Sequence, residues 1–164
     1  MKTDILLSPR LELIAQLVKG NIAADIGTDH GFVPIRLLLS GKCQQVILAD
    51  INEGPLQKAK ENLQAYSISP DMAPLRLGSG LQVLSPYEAD TVIIAGMGGE
   101  LIAEILAEEP AKTETFARFI LQPRTKEAVL RRWLLENGFY ITDERRGEER
   151  DRICQVLVAE PVMR

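Results

Sequence analysis

The chain of 164 residues is 46% hydrophobic and 26% charged, which is typical of one globular domain with a sizeable core. It has no apolar run long enough to cross a membrane and no segment like a signal peptide, so we expect no membrane association and a cytoplasmic location. Two cysteines and one histidine provide no disulfide framework and too few ligands for a zinc site without carboxylates, so we expect no metal.

The net charge of −4 argues against a nucleic-acid partner, but the charges are unevenly distributed. Residues 117–164 hold 10 basic and 8 acidic side chains, whereas residues 1–116 hold 9 basic and 15 acidic side chains. The basic residues of the C-terminal third include Arg124, Lys126, Arg131, Arg132, Arg145, Arg146, Arg150 and Arg152. These side chains either form a phosphate-binding face or belong to a solvated helix face and loop, and the sequence leaves both interpretations open.

Along most of the chain, predicted strands alternate with predicted helices. Ser8 and Pro9 begin an amphipathic helix that ends near Gly20. Short apolar runs predict strands over 22–26, 45–50, 75–77, 91–95 and 119–121. The intervening segments predict helices over 32–39, about 52–66, 100–107 and 126–137. This alternation indicates a parallel sheet with helices on both faces.

The end of the chain departs from this alternation. Strands are predicted over 139–144 and 153–160, and the charged segment 145–152 that joins them is too short for a helical crossover. These two strands must therefore be antiparallel neighbours. We expect a single α/β domain over residues 1–164, Rossmann-like and of the class I methyltransferase type. Its seven-stranded, mostly parallel sheet would end in a C-terminal antiparallel hairpin.

The turn after the first predicted strand has the spacing Asp25-x-Gly27-x-Asp29-x-Gly31, which is not the G-x-G-x-x-G dinucleotide fingerprint. An aspartate that faces the bound group would repel a pyrophosphate, but it suits a ligand with positive charge. S-adenosylmethionine carries both an ammonium and a sulfonium group. Alternatively, Gly27 and Gly31 only form a tight turn, and Asp29 only caps the following helix.

Three further strand ends carry acidic or small residues, and the ends of parallel strands meet at one edge of the sheet. Asp50 ends the second strand 23 residues after Gly27, an offset at which an acid can accept hydrogen bonds from a ribose diol. Gly78-Ser79-Gly80-Leu81 follows the third strand, and Gly96-Met97-Gly98-Gly99 follows the fourth. Because each glycine costs folding entropy, these turns indicate that a ligand approaches the backbone closely.

Six motifs together point to a family. They are Leu7-Ser8-Pro9-Arg10-Leu11, Asp25-Ile26-Gly27-Thr28-Asp29-His30, Asn52-Glu53-Gly54-Pro55, Gly78-Ser79-Gly80-Leu81, Ile94-Ala95-Gly96-Met97-Gly98-Gly99 and Ile120-Leu121-Gln122-Pro123. Over about residues 5–160 the chain resembles the bacterial TrmK family, whose members use S-adenosyl-L-methionine to methylate N1 of the adenine at position 22 of tRNA. Members of that family usually continue into a C-terminal helical domain, which we do not expect within residues 1–164, and they more often have Asn where this chain has Ser79.

The resemblance implies the cofactor, the partner and the site residues. The expected cofactor is S-adenosyl-L-methionine and the expected partner is tRNA. The sequence does not give the oligomeric state, for which a monomer is favoured. The implied cofactor-binding residues are Arg10, Asp25, Gly27, His30, Asp50, Ile51, Asn52, Gly78, Ser79, Gly80, Leu81, Ala95, Gly96 and Met97. Asp29 is the expected catalytic residue, which stabilises the positive charge that develops on adenine or accepts a proton from N6. His30 either moves a proton or fixes the loop, and Phe32, Met97 or Pro123 supplies a platform for the unpaired target base.

Two other functions stay open at this point. A nicotinamide-dependent oxidoreductase is disfavoured by the missing fingerprint, by Asp29 and by the terminal hairpin. A non-catalytic cofactor- or RNA-binding module of the same fold is favoured by the acidic N-terminal two thirds and by our expectation that residues 1–164 contain no C-terminal helical domain. Cofactor binding without methyl transfer would identify such a module.

Overall fold

The computed structural model describes residues 4–162, and these form one sheet of seven strands. The strands are β1 (Ile22–Ile26), β2 (Gln45–Asp50), β3 (Leu75–Leu77), β4 (Thr91–Met97), β5 (Arg118–Pro123), β6 (Phe139–Glu149) and β7 (Arg152–Pro161). Their order across the sheet is β3-β2-β1-β4-β5-β7-β6. β1 to β5 pair in parallel, whereas β7 runs antiparallel to both β5 and β6. The predicted α/β fold with an antiparallel C-terminal hairpin is therefore confirmed.

Helices cover both faces of the sheet. They are α1 (Pro9–Leu17), α2 (Phe32–Leu39), α3 (Glu53–Ala65), α4 (Gly99–Ala107), α5 (Pro110–Thr113) and α6 (Glu127–Glu136). The short α5 and a 3-10 turn at Gly80–Val83 were not predicted. Within residues 4–162, no helix is both long and apolar enough to cross a membrane.

Each face of the sheet has its own hydrophobic core. Successive strand residues point to opposite faces, so Ile93 of β4 packs with α1, α2 and α3, and Ile94 packs with α4 and α6. Both isoleucines are almost fully buried. This double burial explains why the central parallel strands are mainly apolar rather than alternating. It also leaves the strand ends as the place where polar side chains can gather.

The last two strands are longer than predicted, and the predicted loop over 145–152 is wrong. β6 continues to Glu149 and β7 begins at Arg152, so the turn consists of Arg150 and Asp151, with φ values of 51° and 61°. A two-residue turn of this kind matches the twist of the strands that flank it. The prediction failed because residues 145–149 are polar and lack the apolar alternation that identifies a half-buried strand.

The hairpin of β6 and β7 projects beyond the rest of the sheet. The last pair between β5 and β7 joins Leu121 to Leu157, whereas β6 and β7 stay paired as far as Glu149 and Arg152. Five residues of β7 therefore extend past the last β5–β7 pair, over a distance of about 16 Å. We call residues 145–156 the β6–β7 arm. It rests on α1, where a Cβ added at Gly147 would lie 2.8 Å from Leu13 Cδ1.

Candidate active site

A cleft of about 630 Å³ lies at the carboxyl ends of the parallel strands. Nine of the fifteen predicted site residues line it, namely Arg10, Asp25, Gly27, Asp29, His30, Asp50, Ala95, Gly96 and Met97. The three candidates for a base platform, Phe32, Met97 and Pro123, line it as well. The β6–β7 arm contributes one wall through Glu149, Arg150, Arg152, Ile153 and Cys154. Among the described residues, no group of three or more His, Cys, Asp or Glu side chains could hold a metal ion.

The turn after β1 is fixed against β2. The backbone N–H groups of Gly27 and Thr28 both donate to the Ala49 carbonyl, with N···O distances of 2.9 Å. Gly27 has a φ of +81°, and a Cβ at this position would collide with Met97 Cε. The conformation therefore favours glycine here, whereas the Met97 methyl group lies at the end of a flexible side chain that could move aside. The bare backbone of this turn borders the cleft, where a ligand can approach it closely.

Asp25 is half-buried in the cleft, and its carboxyl group is hard to ionise. Burial raises the pKa of Asp25 from 3.8 to about 6. The Thr28 hydroxyl and the Arg10 guanidinium act to lower this pKa, whereas the negative charges of Asp50 and Asp29 raise it further. Three acidic side chains thus converge on one cleft, and a cationic ligand would relieve their mutual repulsion.

Asp29 and His30 form a pair at the tip of the same turn. His30 Nδ1 lies 3.1 Å from Asp29 Oδ2, and 81% of the Asp29 side chain is exposed. The His30 ring stacks on Phe32 with centroids 5.1 Å apart, and the His30 carbonyl accepts a hydrogen bond of 2.8 Å from Asn62 Nδ2. Asp29 does not cap the next helix, because the N-cap of α2 is Gly31. Its carboxylate is therefore accessible to a ligand in the cleft.

Asp50 ends β2, and its carboxylate is held by the local backbone. Asp50 Oδ1 accepts a hydrogen bond of 2.9 Å from the Asn52 N–H, and the Asp50 carbonyl accepts one of 2.9 Å from the Gly78 N–H. The first bond orients the carboxylate, and the second ties the end of β2 to the turn after β3. A ligand that reaches from β1 toward β3 would meet it there.

Six of the predicted residues do not line the cleft, namely Ile51, Asn52, Gly78, Ser79, Gly80 and Leu81. All six follow β2 or β3, beside Asp50. Leu81 is only 3% exposed and belongs to the core on the α4 face, whereas Ile51 is 65% exposed. A ligand-binding role for these residues stays a prediction.

Sequence reasoning missed Gln122 and Glu149, which hold Arg10 in the cleft. Arg10 Nε donates to Glu149 Oε2 at 3.1 Å, and Arg10 Nη1 donates to Gln122 Oε1 at 3.2 Å. The same Gln122 oxygen accepts a hydrogen bond of 3.2 Å from the Gly96 N–H. Gln122 is only 4% exposed, and a polar residue in an otherwise apolar run is a signal that the sequence carries. Glu149 carries no such signal, because the charged sequence around it is typical of a loop rather than a strand.

Residues 7–157 match the family model of a methyltransferase domain. The chain is 37% identical over 158 residues to the tRNA (adenine(22)-N(1))-methyltransferase of Bacillus subtilis (strain 168). The match covers 96% of this chain and 66% of that relative, so the chain spans about two thirds of the relative's length.

Two solved structures share the fold and much of the sequence. The crystal structure of the B. subtilis m1A22 tRNA methyltransferase TrmK is 37% identical with a TM-score of 0.89, over 96% of this chain and 68% of that one. The structure of M. capricolum TrmK in complex with S-adenosyl-homocysteine is 29% identical with a TM-score of 0.85, over 96% of this chain and 70% of that one.

Proposed function

Because this chain belongs to the TrmK family of methyltransferase-domain proteins, we propose that it binds S-adenosylmethionine and methylates N1 of the adenine at position 22 of tRNA. The observation that carries this proposal is the convergence of Asp25, Asp29 and Asp50 on one cleft. A nicotinamide dinucleotide would bring a pyrophosphate against these carboxylates. S-adenosylmethionine brings an ammonium and a sulfonium instead, so its charges complement the cleft.

The residues of the cleft suit this cofactor. We assign its ammonium group to Asp25, which forms no ion pair with any cation among the described residues and whose negative charge Arg10 offsets only in part. We assign the ribose hydroxyls to Asp50, whose carboxylate is already oriented by the Asn52 N–H. The cofactor carboxylate would lie near Arg10, which Gln122 and Glu149 hold beside Gly96. These assignments place the cofactor across the ends of β1, β2 and β4.

In the proposed reaction the N1–CH₃ bond forms as the S–CH₃ bond breaks, and the adenine ring gains a positive charge. When bound, S-adenosylmethionine supplies a methyl group activated by its sulfonium centre. The ring nitrogen N1 has an in-plane lone pair, so the protein needs only to orient the base and stabilise the new charge. Asp29 suits the second task because its carboxylate is exposed and borders the cleft. It would stabilise the cation directly or accept a proton from N6.

The target adenine also needs an apolar surface. We propose that Met97 and Pro123 form it together, because they are register neighbours at the ends of β4 and β5 and both line the cleft. The Met97 carbonyl accepts a hydrogen bond of 2.8 Å from the Arg124 N–H, which ties the two strand ends to each other. Phe32 instead stacks with His30 on the other side of the turn.

Calorimetric titration tests the cofactor class first. We expect saturable binding of S-adenosylmethionine and S-adenosylhomocysteine and no binding of NAD, because the three aspartates disfavour a pyrophosphate. Methyl transfer is then measured on a tRNA with adenine at position 22 and on the same tRNA with guanine there. Binding of NAD alone would refute the proposal. Adenosyl-compound binding with no transfer to either tRNA would favour a non-catalytic module.

Replacement of Asp50 tests the ribose assignment. In the Asp50→Ala variant we expect the Kd for S-adenosylmethionine to rise about 10- to 100-fold, because hydrogen bonds to a charged acceptor are lost. The matched control is Asp71→Ala, which removes an exposed aspartate from the loop beside Gln45, at the opposite end of the strands. An unchanged Kd in Asp50→Ala, or an equal loss in the control, would contradict the assignment.

A further inference from the structure

We propose that Arg124, Arg150 and Arg152 form a phosphate-binding rim that holds the RNA backbone beside the target nucleotide. This inference rests on the proposed function and deepens it, since it names the groups that receive the polynucleotide at the mouth of the cleft. Four observations support it: the position of the three side chains, their lack of ion pairs, the contacts that hold the arm carrying two of them, and the separation of charge within the cleft.

The three arginines lie on the side of the cleft that the cofactor assignment leaves to the substrate. Arg124 follows β5, and Arg150 and Arg152 lie at the turn of the β6–β7 arm. All three line the same cleft as Asp29 and Met97. Asp50 ends β2, which lies on the other side of β1 from β4 and β5. A cofactor that reaches toward Asp50 therefore leaves the arginines facing the space beyond β4 and β5.

These arginines also differ from most others in the chain. Six arginines form ion pairs with carboxylates, namely Arg10, Arg36, Arg76, Arg118, Arg131 and Arg145. Arg124, Arg150 and Arg152 are exposed and form no ion pair or side-chain hydrogen bond with any residue that the structure describes. Their charge is available to a partner. A guanidinium matches a phosphate geometrically and binds it through two parallel hydrogen bonds.

The β6–β7 arm holds its arginines in a defined place. Its turn contains just two residues, both with positive φ. The Arg10–Glu149 ion pair of 3.1 Å ties the end of β6 to α1, and Leu13 supports the arm at Gly147. Two other acids of the arm, Glu148 and Asp151, do not line the cleft. The arm thus presents Arg150 and Arg152 to the cleft while Arg10 neutralises the one carboxylate of the arm that borders it.

Charge is therefore separated within the cleft, with acids on the β1 and β2 side and unpaired arginines on the β5 and arm side. A base that is methylated at N1 must leave its stack, and its flanking phosphates then stay at the mouth of the cleft. This arrangement attracts the phosphates to the rim, although the chain as a whole carries a net charge of −4.

The test compares two double variants of equal charge change. Arg150→Gln/Arg152→Gln removes two charges from the rim, and Arg132→Gln/Arg146→Gln removes two exposed charges that do not line the cleft. Binding of a fluorescently labelled tRNA transcript with adenine at position 22 is measured over a series of salt concentrations, and binding of S-adenosylmethionine is measured by calorimetry. We expect the rim variant to weaken tRNA binding about tenfold and to reduce the slope of log K against log salt by about 1 per arginine. S-adenosylmethionine binding should be unchanged, which also shows that the variant is folded.

Three outcomes would overturn the inference. An equal loss in the Arg132→Gln/Arg146→Gln control would assign the effect to general electrostatics, and a loss of S-adenosylmethionine affinity in the rim variant would assign the arginines to the cofactor. A wild-type chain that binds S-adenosylmethionine but no tRNA would refute the rim and leave the cofactor assignment intact. Arginine-dependent tRNA binding without methyl transfer would instead uphold the rim and refute the proposed reaction.

Discussion

The Asp29→Ala variant is expected to transfer methyl groups about 10²- to 10⁴-fold more slowly at saturating substrates, with little change in the Kd for S-adenosylmethionine. The expected loss is large because Asp29 is the most exposed of the three acids in the cleft and is free of a structural role in the helix that follows it. Its contribution would therefore fall on the step in which the adenine ring gains charge. Single-turnover kinetics with tRNA measure the rate of methyl transfer, and calorimetric titration measures the Kd for S-adenosylmethionine.

Two further substitutions define what Asp29 contributes. Asp29→Asn keeps the size of the side chain but removes its charge, so we expect a loss close to that of alanine. Asp29→Glu restores the charge on a longer side chain, so we expect partial activity. The free energy of unfolding should change by no more than about 0.5 kcal/mol in each variant, because the side chain is exposed. Unchanged turnover in Asp29→Ala, or a matching loss in the Asp71→Ala control, would remove Asp29 from the mechanism.

The central parallel strands were predictable because they are largely buried on both faces. β1 and β2 have the predicted bounds, and each is followed by a turn that glycine or aspartate marks in the sequence. β3 also has the predicted bounds, but it is only partly buried, and its end is marked by Gly78. Double burial produces a continuous apolar run, and this pattern is hard to mistake when a Gly-rich turn ends it. The arm could not be found in the same way, because residues 145–149 contact solvent and ion-pair partners rather than a core.

The same reasoning explains which parts of the candidate site were predictable. Asp50 and Met97 end buried strands and Asp29 lies in the turn after one, so the parallel topology alone brings them to one edge. Glu149 and Arg152 reach the cleft from the hairpin, and their position depends on how far β6 and β7 stay paired. That length is set by the two-residue turn at Arg150 and Asp151, which has no Asn-Gly or Asp-Gly signature.

The Asp25→Asn variant is expected to lose more than tenfold in affinity for S-adenosylmethionine and, at pH 8, to be more stable than the wild type by roughly 2 kcal/mol. Burial raises the pKa of Asp25 from 3.8 to about 6, so the folded state holds this proton more tightly than the unfolded chain does. The wild type therefore loses stability as the pH rises from about 4 to about 6, and the full penalty is present above that range. Asparagine does not ionise and escapes this penalty. Denaturant unfolding of both proteins at pH 4 and at pH 8 measures the difference.

The Asp25→Asn variant is expected to lose affinity for S-adenosylmethionine but to gain stability. This combination distinguishes a binding role for Asp25 from a structural one. If the carboxylate only supported the turn after β1, the Asp25→Asn variant would be less stable at every pH and would lose the cofactor through misfolding. If it binds the ammonium group, wild-type affinity should increase between about pH 5 and pH 7 as Asp25 ionises, and the variant should show no such increase. Asp71→Asn serves as the control, since the Asp71 side chain is exposed outside the cleft. This substitution should change neither the stability nor the affinity for S-adenosylmethionine. A wild-type affinity that does not vary with pH in this range would contradict the ammonium assignment, because the cofactor's ammonium and sulfonium groups keep their charge throughout it.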